Sequence, residues 1–132
     1  MTIKSFEEIL SWQRGRDLAV RIYATFAGLR DFEFGNQIRR AVVSISNNIS
    51  EGFERGSDPD FVRMLYIAKG SAGEVRSMVY LAHRLAYIDD EQKLDLLQRC
   101  NEISKLIAAL IKSIHNRTQT RGVRALEMRT ND

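Results

Sequence analysis

The chain has 132 residues and a mass of 15.2 kDa, a length that fits one compact domain. Hydrophobic residues make up 44% and charged residues 28%, a globular composition that excludes disorder and repeat arrays. The single cysteine, Cys100, excludes an intrachain disulfide and a cysteine metal cluster. The longest apolar run, Leu106 to Ile111, is too short for a membrane span, so we expect a cytoplasmic protein.

The first two predicted helices follow from apolar residues that recur at three- and four-residue steps. The first helix begins at Ser5, which forms a capping box with Glu8, and ends near Gly28. Its apolar face is Ile9, Trp12, Ala19, Tyr23 and Phe26. The second helix runs from about Gly35 to Arg55 and is ended by Gly56. Its apolar face is Ile38, Val42, Ile45, Ile49 and Phe53.

Two further helices have clear start signals. Asp58-Pro59-Asp60 places an acceptor at the N-cap and proline at the first helical position, and this third helix extends to about Tyr87. The fourth begins with a capping box over residues 89–92. Its apolar face is Leu94, Leu97, Cys100, Ile103, Ile107, Leu110 and Ile114. Four long helices joined by short loops, without strand-like alternation, predict an all-α, up-down-up-down four-helix bundle.

The charge is distributed unevenly along the chain. The net charge is +3, and the basic residues are 15 arginines and 5 lysines. Arginine binds phosphate through two hydrogen bonds, so this bias favours contacts with anions or with other proteins. The apolar periodicity fades after Asn116, and the last 16 residues carry a net charge of +2. We therefore assign residues 1–116 to the bundle and residues 117–132 to a flexible basic tail.

The third helix has two apolar faces. One face is formed by Phe61, Leu65, Ala68, Ala72, Val75, Val79 and Ala86. The other lies about 100° away and consists of Ile67, Met78, Leu81 and Leu85. One buried face suffices for a monomeric bundle, so the second predicts a subunit interface and a homo-oligomer. Gly70 and Gly73 indicate a close backbone approach, either by a second subunit or by a helix of the same chain.

Three stretches resemble the 23S rRNA intervening-sequence protein family: residues 6–23, 37–75 and 85–88. The strongest begins with Gln-Ile-Arg-Arg-Ala at residues 37–41 and continues through Ser-Ile, Asn-Ile and Glu-Gly. The resemblance implies a small bacterial homopentamer without enzymatic activity. Related proteins are accessory subunits of diversity-generating retroelements, which implies a reverse transcriptase as a partner. Ser46, Ser50 and Ala72-Gly73 depart from the family pattern, and the tail from Arg117 lies outside the match.

A strip of polar residues lies beside the apolar face of the second helix. It consists of Gln37, Arg40, Ser44, Asn48, Glu51 and Arg55. Glu74 on the third helix is placed to meet Arg40 or Arg55 across the helix contact. We favour a hydrogen-bonded network that fixes the helix register, because buried polar groups require partners. The alternative is a strip that binds a phosphate backbone or a partner protein.

A second strip, on the third helix, combines basic and aromatic residues: Lys69, Arg76, Tyr80, His83 and Tyr87, with Tyr66 at its edge. Single-stranded nucleic acid is bound by such a pattern, with cations for phosphates and flat rings for bases. The alternative is that the tyrosines pack on another helix or subunit while the cations reach solvent. The candidate residues for RNA or DNA contact are Arg39, Arg63, Lys69, Arg76, Arg117, Arg121 and Arg124.

Sequence patterns for catalysis are missing. The two histidines, His83 and His115, form no HExxH motif, and the glycines form no phosphate-binding loop. Cys100 falls in the apolar phase of the fourth helix, where cysteine acts as a small hydrophobe. We therefore expect neither enzymatic activity nor a metal or cofactor. The predicted function is multivalent binding of RNA or DNA by an oligomer, and the alternative is a protein scaffold without its own nucleic-acid role.

Overall fold

The computed structural model describes residues 2–130, and the side chains of residues 2–119. A single 3-10 turn (Phe6–Glu8) precedes four helices, which are α1 (Leu10–Thr25), α2 (Phe32–Glu54), α3 (Asp58–Arg84) and α4 (Asp90–Thr130). Each helix packs on the next one in the chain, and α4 packs on α1, so the four enclose a shared core. No strand occurs in this described part of the chain. The prediction of four helices is confirmed.

The helix starts agree with the sequence signals to within a few residues. The Glu8 carboxylate accepts a hydrogen bond from the Ser5 N–H at 2.9 Å, but this box caps the 3-10 turn, and α1 begins later. At α3 the N-cap is Ser57 and not Asp58, because the Ser57 hydroxyl accepts from the Asp60 N–H at 3.3 Å. The box at the start of α4 is present, with reciprocal bonds of 2.8 and 2.9 Å between Asp89 and Gln92.

Two helix ends differ from the prediction. Helix α3 ends at Arg84, before the expected Tyr87, because Ala86 adopts a left-handed conformation with φ of 61°. Helix α4 continues beyond Asn116 to Thr130. At the level of the α3 N-terminus, the α4 residue Arg117 donates to Asp58 at 2.7 Å, so α4 spans the bundle and runs on past it.

The apolar face of α1 is rotated from the predicted one. Tyr23 is 49% exposed, whereas the buried residues are Ser11, Gly15, Leu18 and Ile22. A Cβ at Gly15 would lie 3.1 Å from Ile45 Cγ2, so the missing side chain lets α1 approach α2 closely. The predicted face therefore missed both the small residues Ser11 and Gly15 and the large residues Leu18 and Ile22.

The other faces are mostly as predicted. In α2, residues 38, 42, 45 and 49 are fully buried. In α3 the first apolar face is buried except for Ala86, which lies beyond the helix. In α4 the predicted Leu94 is 58% exposed, and Leu96 is buried instead. Leu96 lies on the same side of the helix as the buried Cys100 and Ile103. Gly52 lets α2 and α3 meet, since a Cβ there would lie 2.6 Å from Met64 Cβ.

Candidate nucleic-acid interface

One side of α3 carries the predicted strip of basic and aromatic residues. Tyr66, Lys69, Arg76 and Tyr80 follow one another at helical spacing, and all four side chains reach the surface, with Lys69 half-buried. Tyr66 is 56% exposed and Tyr80 is 44% exposed. Packing within the chain therefore leaves about half of each ring uncovered, and packing on a neighbouring subunit stays a prediction. Tyr87 instead donates a hydrogen bond to Asp31 at 2.7 Å in the loop region.

Helix α4 brings Lys93 to this strip and carries two further exposed lysines. Three contacts show that α4 runs antiparallel to α3. At one end, His83 Nε2 lies 2.6 Å from Asp90 Oδ1, and Lys93 Nζ lies 5.4 Å from the centroid of the Tyr80 ring. At the other end, Arg117 Nη2 lies 2.7 Å from Asp58 Oδ1. In this register Lys105 and Lys112, both exposed, lie level with the first half of α3. His115 lines a cavity together with Val62 of α3. Lys112 lies about one helical turn before His115. We call these five cations the basic surface: Lys69, Arg76, Lys93, Lys105 and Lys112.

Acidic residues do not neutralise the basic surface. From residue 61 to 84 of α3 and from 93 to 118 of α4, the only acids are Glu74, Asp95 and Glu102. Glu74 lines a groove against α2. Asp95 and Glu102 face α1, where Arg14 Nε lies 2.8 Å from Glu102 and Arg21 Nε lies 3.8 Å from Asp95. Among the described residues, no member of the basic surface forms an ion pair.

Three of the other residues predicted to contact nucleic acid already have partners within the chain. Arg39 is half-buried, donates to Asn36 Oδ1 at 2.9 Å and lies over the Tyr23 ring at 5.9 Å. Arg63 has Asp60 at 3.9 Å, and Arg117 is bound to Asp58. The predicted Arg121 and Arg124 lie outside the residues whose side chains are described. Of the seven candidates, Lys69 and Arg76 remain without an ion-pair or hydrogen-bond partner in the described part of the chain.

The polar strip of α2 is divided between two roles. At its centre, Asn48 Nδ2 donates to the Ser44 carbonyl and hydroxyl oxygens at 2.7 and 2.8 Å, and the Ser44 and Ser71 hydroxyls lie 2.9 Å apart. These bonds join α2 to α3, as the network interpretation expects. Towards the ends the side chains are exposed: Arg55 pairs with Glu51 within α2, and an open groove of ≈ 690 Å³ is lined by Gln37, Arg40 and Glu74. The predicted ion pair of Glu74 with Arg40 or Arg55 is not formed.

The second apolar face of α3 is largely exposed. Ile67, Leu81 and Leu85 are 44, 49 and 45% exposed. The predicted interface residue Met78 is an exception, because it is only 7% exposed and belongs to the core. A Cβ at Gly70 or Gly73 would meet no atom within 4 Å, so within residues 2–119 no other helix makes the close approach that the two glycines indicate.

The described residues hold neither a group of potential metal ligands nor a reactive thiol. No cluster of three or more histidine, cysteine or acidic side chains is found among them. Burial raises the pKa of Cys100 to about 12, and the nearby charge of Arg76 lowers it only in part, so the thiol stays protonated. No helix in the searched part of the chain is long and apolar enough to cross a membrane.

Sequence reasoning missed three members of the basic surface, Lys93, Lys105 and Lys112. None of the three is among the candidate contacts predicted from the sequence. A signal was nevertheless present, because between Lys93 and Arg117 this helix carries only two acids, Asp95 and Glu102. Recognising it required the helix register, which apolar periodicity alone does not give.

Comparisons with known proteins agree with this architecture. A family model described as 23S rRNA-intervening sequence protein matches residues 7–109. Among solved structures, the chain is similar to a protein of unknown function from the S23 ribosomal protein family of Bacteroides thetaiotaomicron. The two share 32% sequence identity with a TM-score of 0.73, over 78% of this chain and 99% of the other. A search of curated proteins finds no match.

Proposed function

The chain belongs to the 23S rRNA-intervening sequence protein family, and on that premise we propose that it is a non-enzymatic protein that binds RNA or DNA through the basic surface. The observation that carries the proposal is the contrast between two sides of α4. On the α1 side, arginines are paired with Asp95 and Glu102. The five cations of the basic surface, by contrast, have no acidic partner among the described residues and would gain one from a phosphate backbone.

The contrast matters because a paired cation must give up its carboxylate before it contacts phosphate. An unpaired cation releases only its loosely bound counterions, and that release drives association. Lys69 and Arg76 lie two helical turns apart on α3, and Lys93 of α4 contacts Tyr80, one turn beyond Arg76. Lys105 and Lys112 are exposed further along α4. The resulting contact is sequence-independent, because none of these groups is held in a fixed geometry to read a base edge.

Self-association is the second component of the proposal. It is supported by the exposed residues Ile67, Leu81 and Leu85, and by Gly70, where an added Cβ would meet no atom of the described residues within 4 Å. The family resemblance described above implies a homopentamer. Copies linked in this way present several basic surfaces at once, so weak single contacts add up to tight binding. The proposal places the protein in the cytoplasm.

The alternative proposal is a scaffold for another protein, such as a reverse transcriptase, without its own nucleic-acid role. The exposed apolar face of α3 favours it, because apolar side chains contribute little to phosphate binding and more to protein contacts. Complete absence of RNA and DNA binding by the purified protein supports this alternative over the first proposal.

The test is the salt dependence of RNA affinity in the double variant Lys69→Gln, Arg76→Gln. Loss of two phosphate contacts on a single strand lowers the slope of log affinity against log salt by about 1.4. We expect this decrease together with weaker binding at low salt, both measured by fluorescence anisotropy. Both positions reach the surface, so the fold is expected to be retained.

The matched control is Arg14→Gln, Arg21→Gln, which removes the same charge from the α1 side. These arginines already have carboxylate partners, so we expect a slope close to that of the unchanged protein. An equal decrease in both double variants indicates attraction by net charge alone and contradicts an assignment to the basic surface.

A further inference from the structure

Two exposed tyrosines flank the basic residues of α3. Tyr66 and Tyr80 are 14 residues apart, so they lie on the same side of the helix about 21 Å from each other. Both keep about half of their surface exposed. A large aromatic ring at the surface of a bundle contributes little to its core, and these two belong to the strip that also holds the unpaired cations.

Gly73 lies midway between the two rings, seven residues from each. It is exposed, and a Cβ there would meet no atom within 4 Å, so packing within this chain does not require glycine. Glycine inside a helix lowers stability by about 1 kcal/mol relative to alanine. Its effect here is to leave the helix backbone without a side chain between the two rings, so no side chain obstructs a flat group there.

Cations alternate with these three positions. Lys69 follows Tyr66 by three residues, and Arg76 follows Gly73 by three. At the far end, Lys93 of α4 places its ammonium group 5.4 Å from the Tyr80 ring centroid. Each ring therefore has a positive charge within about one helical turn, a spacing that offers a stacking surface and a phosphate partner together.

We propose that this strip is a binding site for single-stranded nucleic acid, with bases stacked on Tyr66 and Tyr80 and phosphates bound by Lys69, Arg76 and Lys93. This inference rests on the function proposed above and adds the class of strand. In a duplex the bases are stacked on each other, so the rings gain nothing and only the cations contribute. Charge complementarity selects this occupant over an apolar peptide.

The test compares oligouridylate, oligothymidylate and a DNA duplex of equal length at one salt concentration. We expect tighter binding of the two single strands than of the duplex, and the two single-stranded arms show whether RNA or DNA is preferred. Tyr66→Leu and Tyr80→Leu keep an apolar side chain but remove the flat ring. Each is expected to weaken single-strand binding roughly five- to hundredfold and to leave duplex binding nearly unchanged.

Three variants serve as controls. Tyr66→Phe and Tyr80→Phe keep the ring, so single-strand affinity should be retained. Tyr23→Leu removes a tyrosine that is 49% exposed on α1, outside the strip, and should have no effect. If the duplex binds as well as the single strands and both leucine variants are unaltered, the inference is wrong while the proposed function stands. If neither form of nucleic acid binds, the proposed function itself is wrong.

Discussion

The hydrogen bond between Tyr87 and Asp31 joins the α3–α4 loop to the start of α2. The Tyr87 hydroxyl donates to Asp31 Oδ2 at 2.7 Å, and the other Asp31 oxygen accepts from the Phe34 N–H at 3.2 Å. The bond from Tyr87, followed by that from Phe34, lowers the pKa of Asp31 below its ordinary value of 3.8. The same pairing raises the pKa of Tyr87 above 10.0. One side chain therefore caps a helix and ties two loops together.

The lowered pKa makes this contact sensitive to acid. Because the folded state holds Asp31 ionised more strongly than the unfolded state does, its stabilising effect is complete above pH 3.8 and is lost as the pH falls through the lower, folded-state pKa. We expect Tyr87→Phe to lower the free energy of unfolding at neutral pH. Urea denaturation should show that this difference shrinks below pH 3.8.

Tyr66→Phe is the control for this prediction. It also removes one hydroxyl, but an exposed one without a hydrogen-bond partner among the described residues. Its free energy of unfolding should match that of the unchanged protein at both pH values. A difference for Tyr87→Phe that stays constant with pH would mean that Asp31 does not take part.

Single residues also show which features of the fold could be predicted from the sequence and which could not. The capping residues near Glu8 and Gln92 and the left-handed Gly56 were predictable, because local hydrogen bonds and φ angles determine them. Ser11 and Gly15 were not, since small residues enter a core only where two helices approach closely. That approach depends on tertiary packing, which local periodicity does not contain.

At the scale of elements, α3 has three kinds of surface around its circumference. One is the buried core face, one is the strip of cations and tyrosines, and one is the exposed apolar face of Ile67, Leu81 and Leu85. The two apolar faces of α3 were predictable from the sequence, although Met78 was assigned to the wrong one. Met78 lies near the boundary between the buried face and the exposed apolar face. The packing of the neighbouring helices determines that it is buried.

The exposed apolar face leads to a prediction about self-association. Leu81→Glu places a charge where the proposed interface buries a leucine, and full burial of a leucine contributes about 1.5–3 kcal/mol. We therefore expect the subunit dissociation constant to rise at least about tenfold, as measured by sedimentation or light scattering over a range of concentrations.

The control is Val20→Glu, which introduces the same charge at a residue of α1 that is 67% exposed. It should leave the oligomer unchanged. A protein that remains monomeric at high concentration, with or without the substitution at Leu81, contradicts the proposed self-association.

At the scale of the whole molecule, charge is arranged asymmetrically in a way that the net value of +3 conceals. Ion pairs join α1 to α4, whereas on the α3–α4 side ion pairs occur at the two ends, His83–Asp90 and Arg117–Asp58. Between these ends, the five cations of the basic surface have no ion-pair partner among the described residues. The four-helix architecture was predictable because caps, loops and apolar faces agree along the chain. The basic surface was predictable only in part, from Lys69 and Arg76, because the lysines of α4 join them through the packing of two helices far apart in sequence.

The lysines permit a direct test of the central claim. Four of the five lysines in the chain belong to the basic surface, and the fifth, Lys4, lies near the N-terminus. Lysine acetylation followed by mass spectrometry, with and without single-stranded RNA, reports all five in one experiment. We predict that RNA protects Lys69, Lys93, Lys105 and Lys112 and leaves Lys4 unprotected. Equal protection of all five lysines, or of none while RNA is bound, would contradict binding through the basic surface.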